Sequence, residues 1–184
     1  YHGTRVHTWY NDIPISMYLP EEYFSSIQYY PVLYLLHGTG ENEESWFKSG
    51  NAEQIFDQLI GNGGMRKMII VMPYSSGVTD GSYENSFKDL MSFIERNFRV
   101  HKGKRYHAIA GLSLGGFYAM HISHRFYNKF DYVGIFSAIY TTDKMSIFKK
   151  DSTALFGISQ TSPIIYKNTE RDLERQFRIP PKLY

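Results

Sequence analysis

The sequence contains no cysteine, which excludes disulfides, thiolate nucleophiles and cysteine-bound metal centres. No apolar run approaches the ~18–20 residues that a membrane-spanning helix needs. Charge of one sign is also missing. Twenty Lys and Arg against 18 Asp and Glu leave a formal net charge of +2, without the basic footprint of a nucleic-acid-binding domain. The longest basic cluster, His101-Lys102-Gly103-Lys104-Arg105, reads as a solvated turn. The chain opens at Tyr1 with neither an initiator Met nor a signal peptide, so a processed or trimmed N-terminus is expected. What is present is an ordinary globular composition, 42% hydrophobic and 21% charged over 184 residues. That is enough for one domain with its own core.

Buried strands alternate with amphipathic helices along the chain. Residues 3–9 and 13–19 read as two short strands, joined through the turn chemistry of Asn11-Asp12 into a hairpin. The apolar run 31–36 ends in His37-Gly38-Thr39-Gly40 and reads as a strand buried on both faces. Residues 50–60 carry Ala52, Ile55, Phe56 and Ile60 at helical spacing, with Asn51 as N-cap and a Gly-rich stop at 61–64. A second buried strand over 68–72 is stopped by Pro73, and 74–82 is a polar loop. The spacing of Phe87, Leu90, Met91, Ile94 and Phe98 predicts a helix over 84–98. Strand 106–110, helix 113–125 and strand 130–136 follow. This alternation predicts an α/β fold, a mostly parallel sheet with helices on both faces. With no repeat or linker, residues 1–184 read as a single domain.

One junction carries chemistry. Gly111-Leu112-Ser113-Leu114-Gly115 is a Gly-x-Ser-x-Gly between strand and helix. A nucleophilic serine on so sharp a turn presents its Oγ above the sheet, and side chains two residues to either side would collide. Ser113 also opens a helix, whose N–H groups favour a developing negative charge. The bare motif arises easily by chance, and a serine that merely caps a helix is the bland alternative. The strand-to-helix context and His37-Gly38-Thr39-Gly40 argue for chemistry. Acyl transfer needs two N–H donors aimed at the oxyanion. The residue after the nucleophile, Leu114, supplies one, and Thr39, in the loop after an earlier strand, is the natural second.

Four segments in register extend this pattern: Tyr34-Leu-Leu-His-Gly-Thr-Gly-Glu-Asn-Glu-Glu-Ser-Trp46, Ile69-Ile-Val-Met-Pro73, Tyr83-Glu-Asn-Ser-Phe-Lys-Asp-Leu90 and Ala110-Gly-Leu-Ser-Leu-Gly-Gly116. From about Tyr30 to Ala138 the chain resembles the esterase D-like esterases, and most of all the feruloyl and acetyl-xylan esterases of carbohydrate esterase family 1. The resemblance implies an α/β-hydrolase fold and a serine carboxylic ester hydrolase acting through an acyl-enzyme on Ser113. It implies feruloyl or acetyl esters of plant cell-wall polysaccharide as substrates, no cofactor, neighbouring carbohydrate-active domains, and a secreted or periplasmic location. Thr39 and Leu114 then form the oxyanion hole, and His37 has a structural role. S-formylglutathione hydrolases are a related branch. They usually carry His before the nucleophile, where this chain has Leu112. Trp46, just after the oxyanion loop, is a candidate for the substrate rim, while most of the 13 Phe and 16 Tyr read as core.

A serine nucleophile also needs a base, in the chain order Ser, Asp or Glu, His. After Ser113 the histidines are His121 and His124, about 12 and 16 Å along the same helix at ~1.5 Å per residue. Neither reaches the serine. As a His-x-x-His pair they lack a third ligand at a useful spacing, so no metal site is expected. His107 leads into the elbow as a packed or rim residue, and His2, His7 and His101 lie far from the active edge. Residues 141–165 read as a loop or lid, 169–178 as a short helix and 182–184 as the start of a strand. In the resembled family the acid and the histidine follow later. The expectation is therefore a hydrolase domain truncated at its C-terminal end and inactive by itself. The alternative is a non-catalytic binding or scaffold module on a hydrolase fold.

Overall fold

Strands β1 (Thr4–Tyr10) and β2 (Ile13–Leu19) form the expected hairpin, in register from Thr4 opposite Leu19 to Tyr10 opposite Ile13. Asn11 and Asp12, left over between them, take φ of 44° and 61°. This is the primed two-residue turn whose twist matches paired strands, and Asn and Asp tolerate it best after glycine. The fold, taken from a computed structural model, is described for residues 1–138 and 164–166.

The remaining elements are β3 (Val32–Leu36), α1 (Ser45–Lys48), α2 (Ala52–Gly61), β4 (Ile69–Pro73), α3 (Ser82–Asn97), β5 (His107–Leu112), α4 (Leu114–Arg125), β6 (Tyr132–Phe136) and β7 (Ile164–Tyr166). They build one mixed sheet in the order β1-β2-β4-β3-β5-β6-β7. The four central strands, β4, β3, β5 and β6, are mutually parallel. The β1–β2 hairpin flanks them antiparallel on one side, and β7 does so on the other.

Strand alternation sorts the apolar residues into two cores. Tyr34, Leu36, Ile69, Val71, Ile109, Val133 and Ile135 face α3 and α4, meeting Phe87, Leu90, Met91 and Ile94 from α3. Their neighbours Leu35, Ile70, Met72 and Ala110 face the other way, onto Phe47 of α1 and Ala52, Phe56 and Ile60 of α2. Helices therefore cover both faces, which is why the central strands read as unbroken apolar runs.

Several details differ from the sequence expectations. Ile55 is 47% exposed, because α2 turns its 52-56-60 ridge to the sheet. Asn51 stands at the N-cap of α2 but makes no side-chain cap. It takes a left-handed conformation (φ 48°) where the chain doubles back from α1, a turn so tight that a Cβ on Gly50 would lie 2.7 Å from the Trp46 carbonyl oxygen. Pro73 is the last residue of β4 and is itself paired: it faces Ile15 of β2, and the Tyr74 N–H bonds the Pro14 carbonyl at 2.9 Å. Residues 164–165, read as part of a loop or lid, belong to β7, where Ile164 faces Ile135 and Ile165 faces Gly134. The rest of the lid stretch, the helix over 169–178 and the strand start at 182–184 lie outside the described residues.

At the start of β5, His107 is 1% exposed. Its Nε2–H donates to the His101 carbonyl at 3.0 Å, with a Glu95 carboxylate oxygen 3.8 Å from the same nitrogen. Among the described residues its Nδ1 is buried with no partner in full hydrogen-bond geometry. Burial pushes its pKa below the usual histidine value, and the His101 carbonyl and Glu95 only partly oppose this. As pH falls below about 6.5, the unfolded chain takes up this proton before the folded one does. The His107 contribution to stability is thus complete above that pH and declines below it. Urea unfolding at pH 7.5 and 5.5 is expected to show a smaller pH-dependent loss in His107→Gln than in the parent. Equal losses in the two proteins would disprove the assignment.

Candidate active site

The elbow grows out of β5, which runs to Leu112, two residues beyond the predicted strand end. Leu36 pairs with Gly111 on one side and Phe136 with Leu112 on the other. The Ser113 N–H donates to the Phe136 carbonyl at 2.8 Å. The chain then reverses within one residue. Ser113 has φ 54° and ψ −114°, and its carbonyl accepts the first bond of α4, from the Phe117 N–H at 3.0 Å. A non-glycine residue held so costs about 1–3 kcal/mol, and the surrounding strands and helix enforce it.

The two elbow glycines show why the reversal needs them. A Cβ on Gly111 would lie 2.2 Å from the Gly115 carbonyl carbon and oxygen, and one on Gly115 would lie 2.3 Å from the Leu36 carbonyl oxygen. The first turn of α4 thus rests directly on the backbone of β3 and β5. Ser113 is half-buried at the tip. As the first residue of α4, Leu114 has no intrahelical acceptor for its N–H, and the helix dipole adds positive potential there.

The loop after β3 is a second fixed turn. His37 is buried, with Nδ1 2.8 Å from the Gly38 carbonyl oxygen and Nε2 3.0 Å from the Ser75 N–H. A carbonyl on one nitrogen and an N–H on the other select the Nδ1–H tautomer. The imidazole is therefore engaged as a brace between the loops after β3 and β4. Beyond it the Gly38 N–H donates to Glu41 Oε2 at 2.7 Å, the Glu41 N–H returns to the Gly38 carbonyl at 3.3 Å, and Gly40 takes φ 75°. Thr39 is exposed at the tip. A Cβ on Gly38 would be 3.5 Å from the Leu112 carbonyl oxygen, so the loop lies against the strand end that leads to Ser113.

The polar loop expected over 74–82 spans 74–81 in the structure, since α3 takes in Ser82. It approaches the elbow at three points. Ser75 bonds His37, a Cβ on Gly77 would stand 3.8 Å from a Leu114 methyl, and the Val78 carbonyl accepts the Tyr118 hydroxyl at 2.6 Å. Burial, helped by the Glu84 and Asp80 carboxylates, pushes the Tyr118 phenol up to about 12, so it stays a donor. Its ring also meets that of Tyr83 at 4.6 Å. No motif marks Tyr118. One turn into α4, it reads as a core aromatic until the loop is seen above it.

The structure brings together Gly111, Ser113, Leu114, Gly115 and the His37–Glu41 loop. Trp46 lies in α1, half-buried against the α1/α2 core, with its indole nitrogen buried. His121 packs on Phe117 at 4.2 Å, and with His124, Glu84 and Arg125 it lines a cavity of about 510 Å³ at the far end of α4. His107 stands at the opposite end of β5 from Ser113. His101 stacks on Tyr106 at 4.4 Å, His7 meets Glu43 at 3.2 Å, and His2 meets Asp57 at 3.4 Å. Among the described residues no three His, Asp or Glu side chains converge as metal ligands. Adding one methyl at the elbow is expected to be severe: Gly115→Ala should destabilise the protein by about 3 kcal/mol or more. A chemical denaturation midpoint equal to that of the parent would show that the α4–β3 contact is looser than described.

Known proteins share this arrangement. An endo-1,4-beta-xylanase/feruloyl esterase of Xylanibacter ruminicola is 36% identical over 137 residues, covering 66% of this chain and 19% of that protein. A solved ferulic acid esterase superposes with a TM-score of 0.68 at 28% identity, over 74% of this chain and 59% of its own. The feruloyl esterase module from Clostridium thermocellum, complexed with sinapinate, gives a TM-score of 0.72 at 21% identity, over 81% and 60%. The chain therefore spans about a fifth of that curated relative and about three fifths of these solved esterases. The sheet order and elbow are those of the α/β-hydrolase fold, and the family model described as "Putative esterase" matches residues 7–168, so the chain belongs to that esterase family.

Proposed function

We propose that this chain carries the nucleophile and oxyanion hole of a serine carboxylic ester hydrolase that cleaves feruloyl or acetyl esters on plant cell-wall polysaccharide. The observation that carries the reading is Ser113 itself, held at φ 54° between a parallel strand and a helix whose first turn rests on backbone. A pure binding module has no use for such strain. In the proposed reaction Ser113 Oγ attacks the ester carbonyl carbon. The Thr39 and Leu114 N–H groups donate to the oxyanion of the tetrahedral intermediate. Collapse expels the sugar hydroxyl and leaves an acyl-Ser113 ester, and water then releases the acid.

The base is the missing part. His37 is committed to two backbone partners, and His121 and His124 are about 12 and 16 Å down α4. We place the acid–histidine pair in sequence beyond residue 184, in keeping with the share of the solved esterases that this chain spans. The named xylanase/feruloyl esterase relative supports the plant-ester substrate and adjoining carbohydrate-active domains. A polymeric substrate outside the cell supports export. No helix among the described residues is long and apolar enough to cross a membrane.

A fluorophosphonate probe is expected to label the full-length protein at Ser113. Ser113→Ala is expected to lose that label and to lower kcat on methyl ferulate by about 10⁴-fold or more. Comparing methyl ferulate with p-nitrophenyl acetate separates feruloyl from simple acetyl esterase activity. A full-length protein that takes no label and cleaves neither ester would instead be a binding module on a hydrolase fold.

A further inference from the structure

Strand register puts one row of side chains level with the elbow. Thr8 faces Ile15 and Ile15 faces Pro73. Tyr34 faces Val71, which brings Leu36 level with Pro73, and Leu36 faces Gly111. One residue further along stand Trp9, Pro14, Tyr74, His37 and Leu112, the last residue before Ser113. Two antiparallel pairings separate β1 from β4, so β1 runs in the direction of the central strands. Trp9 therefore shares the edge of the sheet that carries Ser113. Four strand spacings at ~4.8 Å put them about 19 Å apart.

Trp9 is one of two tryptophans and is 59% exposed. A bare indole is a large apolar surface left in water. Its surroundings are polar and ordered. His7 meets the ring edge-on at 5.7 Å, and His7 Nε2 lies 3.2 Å from Glu43 Oε1. Glu43 belongs to the β3–α1 connection, the same loop that holds Thr39. A flat ring beside hydrogen-bonding groups suits a pyranose, which offers an apolar C–H face to stack and hydroxyls to bond. A span of about 19 Å exceeds the reach of a small ester, so one ligand touches both points only if it is a chain.

We propose that Trp9, with His7 and Glu43 beside it, is a glycan subsite that holds the polysaccharide backbone while its ester enters at Ser113. This rests on the plant-ester reading above. The test uses the full-length protein. Soluble xylo-oligosaccharide is expected to protect Trp9 from oxidation by N-bromosuccinimide, located by peptide mass. In a Ser113→Ala background, Trp9→Ala is expected to weaken binding of de-esterified xylan about fivefold to tenfold, and Trp9→Tyr to restore most of it. On the active protein, kcat/KM for feruloylated xylan relative to methyl ferulate is expected to fall by a similar factor in Trp9→Ala. A Trp9 that oxidises equally with and without glycan overturns the subsite, as does one already shielded in the free protein by another segment of the chain. Either result beside normal methyl ferulate hydrolysis leaves the esterase reading standing. A protein that hydrolyses no ester overturns that reading, and the subsite is then judged on the protection and binding measurements alone.

Discussion

Everything at this site depends on one bare contact, the first turn of α4 lying on the carbonyl ends of β3 and β5. Gly115 faces the Leu36 and His37 carbonyl oxygens, where a Cβ would come within 2.3 and 2.6 Å. Nothing larger than hydrogen fits between helix and strand. The helix can therefore start only one residue after the strand ends, and Ser113 must absorb the whole reversal. Its positive φ is a consequence of that packing. The same approach delivers the N–H of Leu114 to the sheet edge and keeps it beside the loop after β3.

His37 performs the corresponding work on the other side. Its two ring nitrogens join the turn that holds Thr39 to the loop that follows β4. Two loops from neighbouring parallel strands are thereby fixed to each other as well as to their own strands. The proposed oxyanion hole needs donors that do not have to move when charge appears, and a buried imidazole between two backbone groups holds the turn that carries Thr39. The Tyr118–Val78 bond does the same for the far end of the loop after β4.

The fold was legible because its strongest signals are local. The central strands announce themselves as apolar runs, the hairpin as Asn11-Asp12, and the elbow as glycines two residues to either side of Ser113. Four features were not. Tyr118 and the 74–81 loop meet only after a βαβ crossover brings them together, and no residue spacing encodes that. The role of Asn51 followed from the turn after α1, where backbone crowding at Gly50 overrode the capping preference of its side chain. Trp9 reads as one aromatic in a short strand. It becomes a level companion of Leu112 only through a register running across five strands. Ile164 and Ile165 carried the β-branched signal of β7, yet a three-residue strand is too short to stand out among polar neighbours.

The parity of the sheet separates two kinds of change that selection can make. Odd positions of β3 and even positions of β4 and β5 look toward α1 and α2, and the alternate positions look toward α3 and α4. Ser113, Leu114 and the Tyr118–Val78 bond all hang from α4, on the second side. The row from Trp9 through Tyr74 to His37 lies on the first. The layer from which the elbow hangs and the layer on which Trp9 lies thus have separate cores, with His37 as the link between them. Side chains on the α1/α2 layer other than His37 can be exchanged while the backbone contact between α4 and β3 stays untouched.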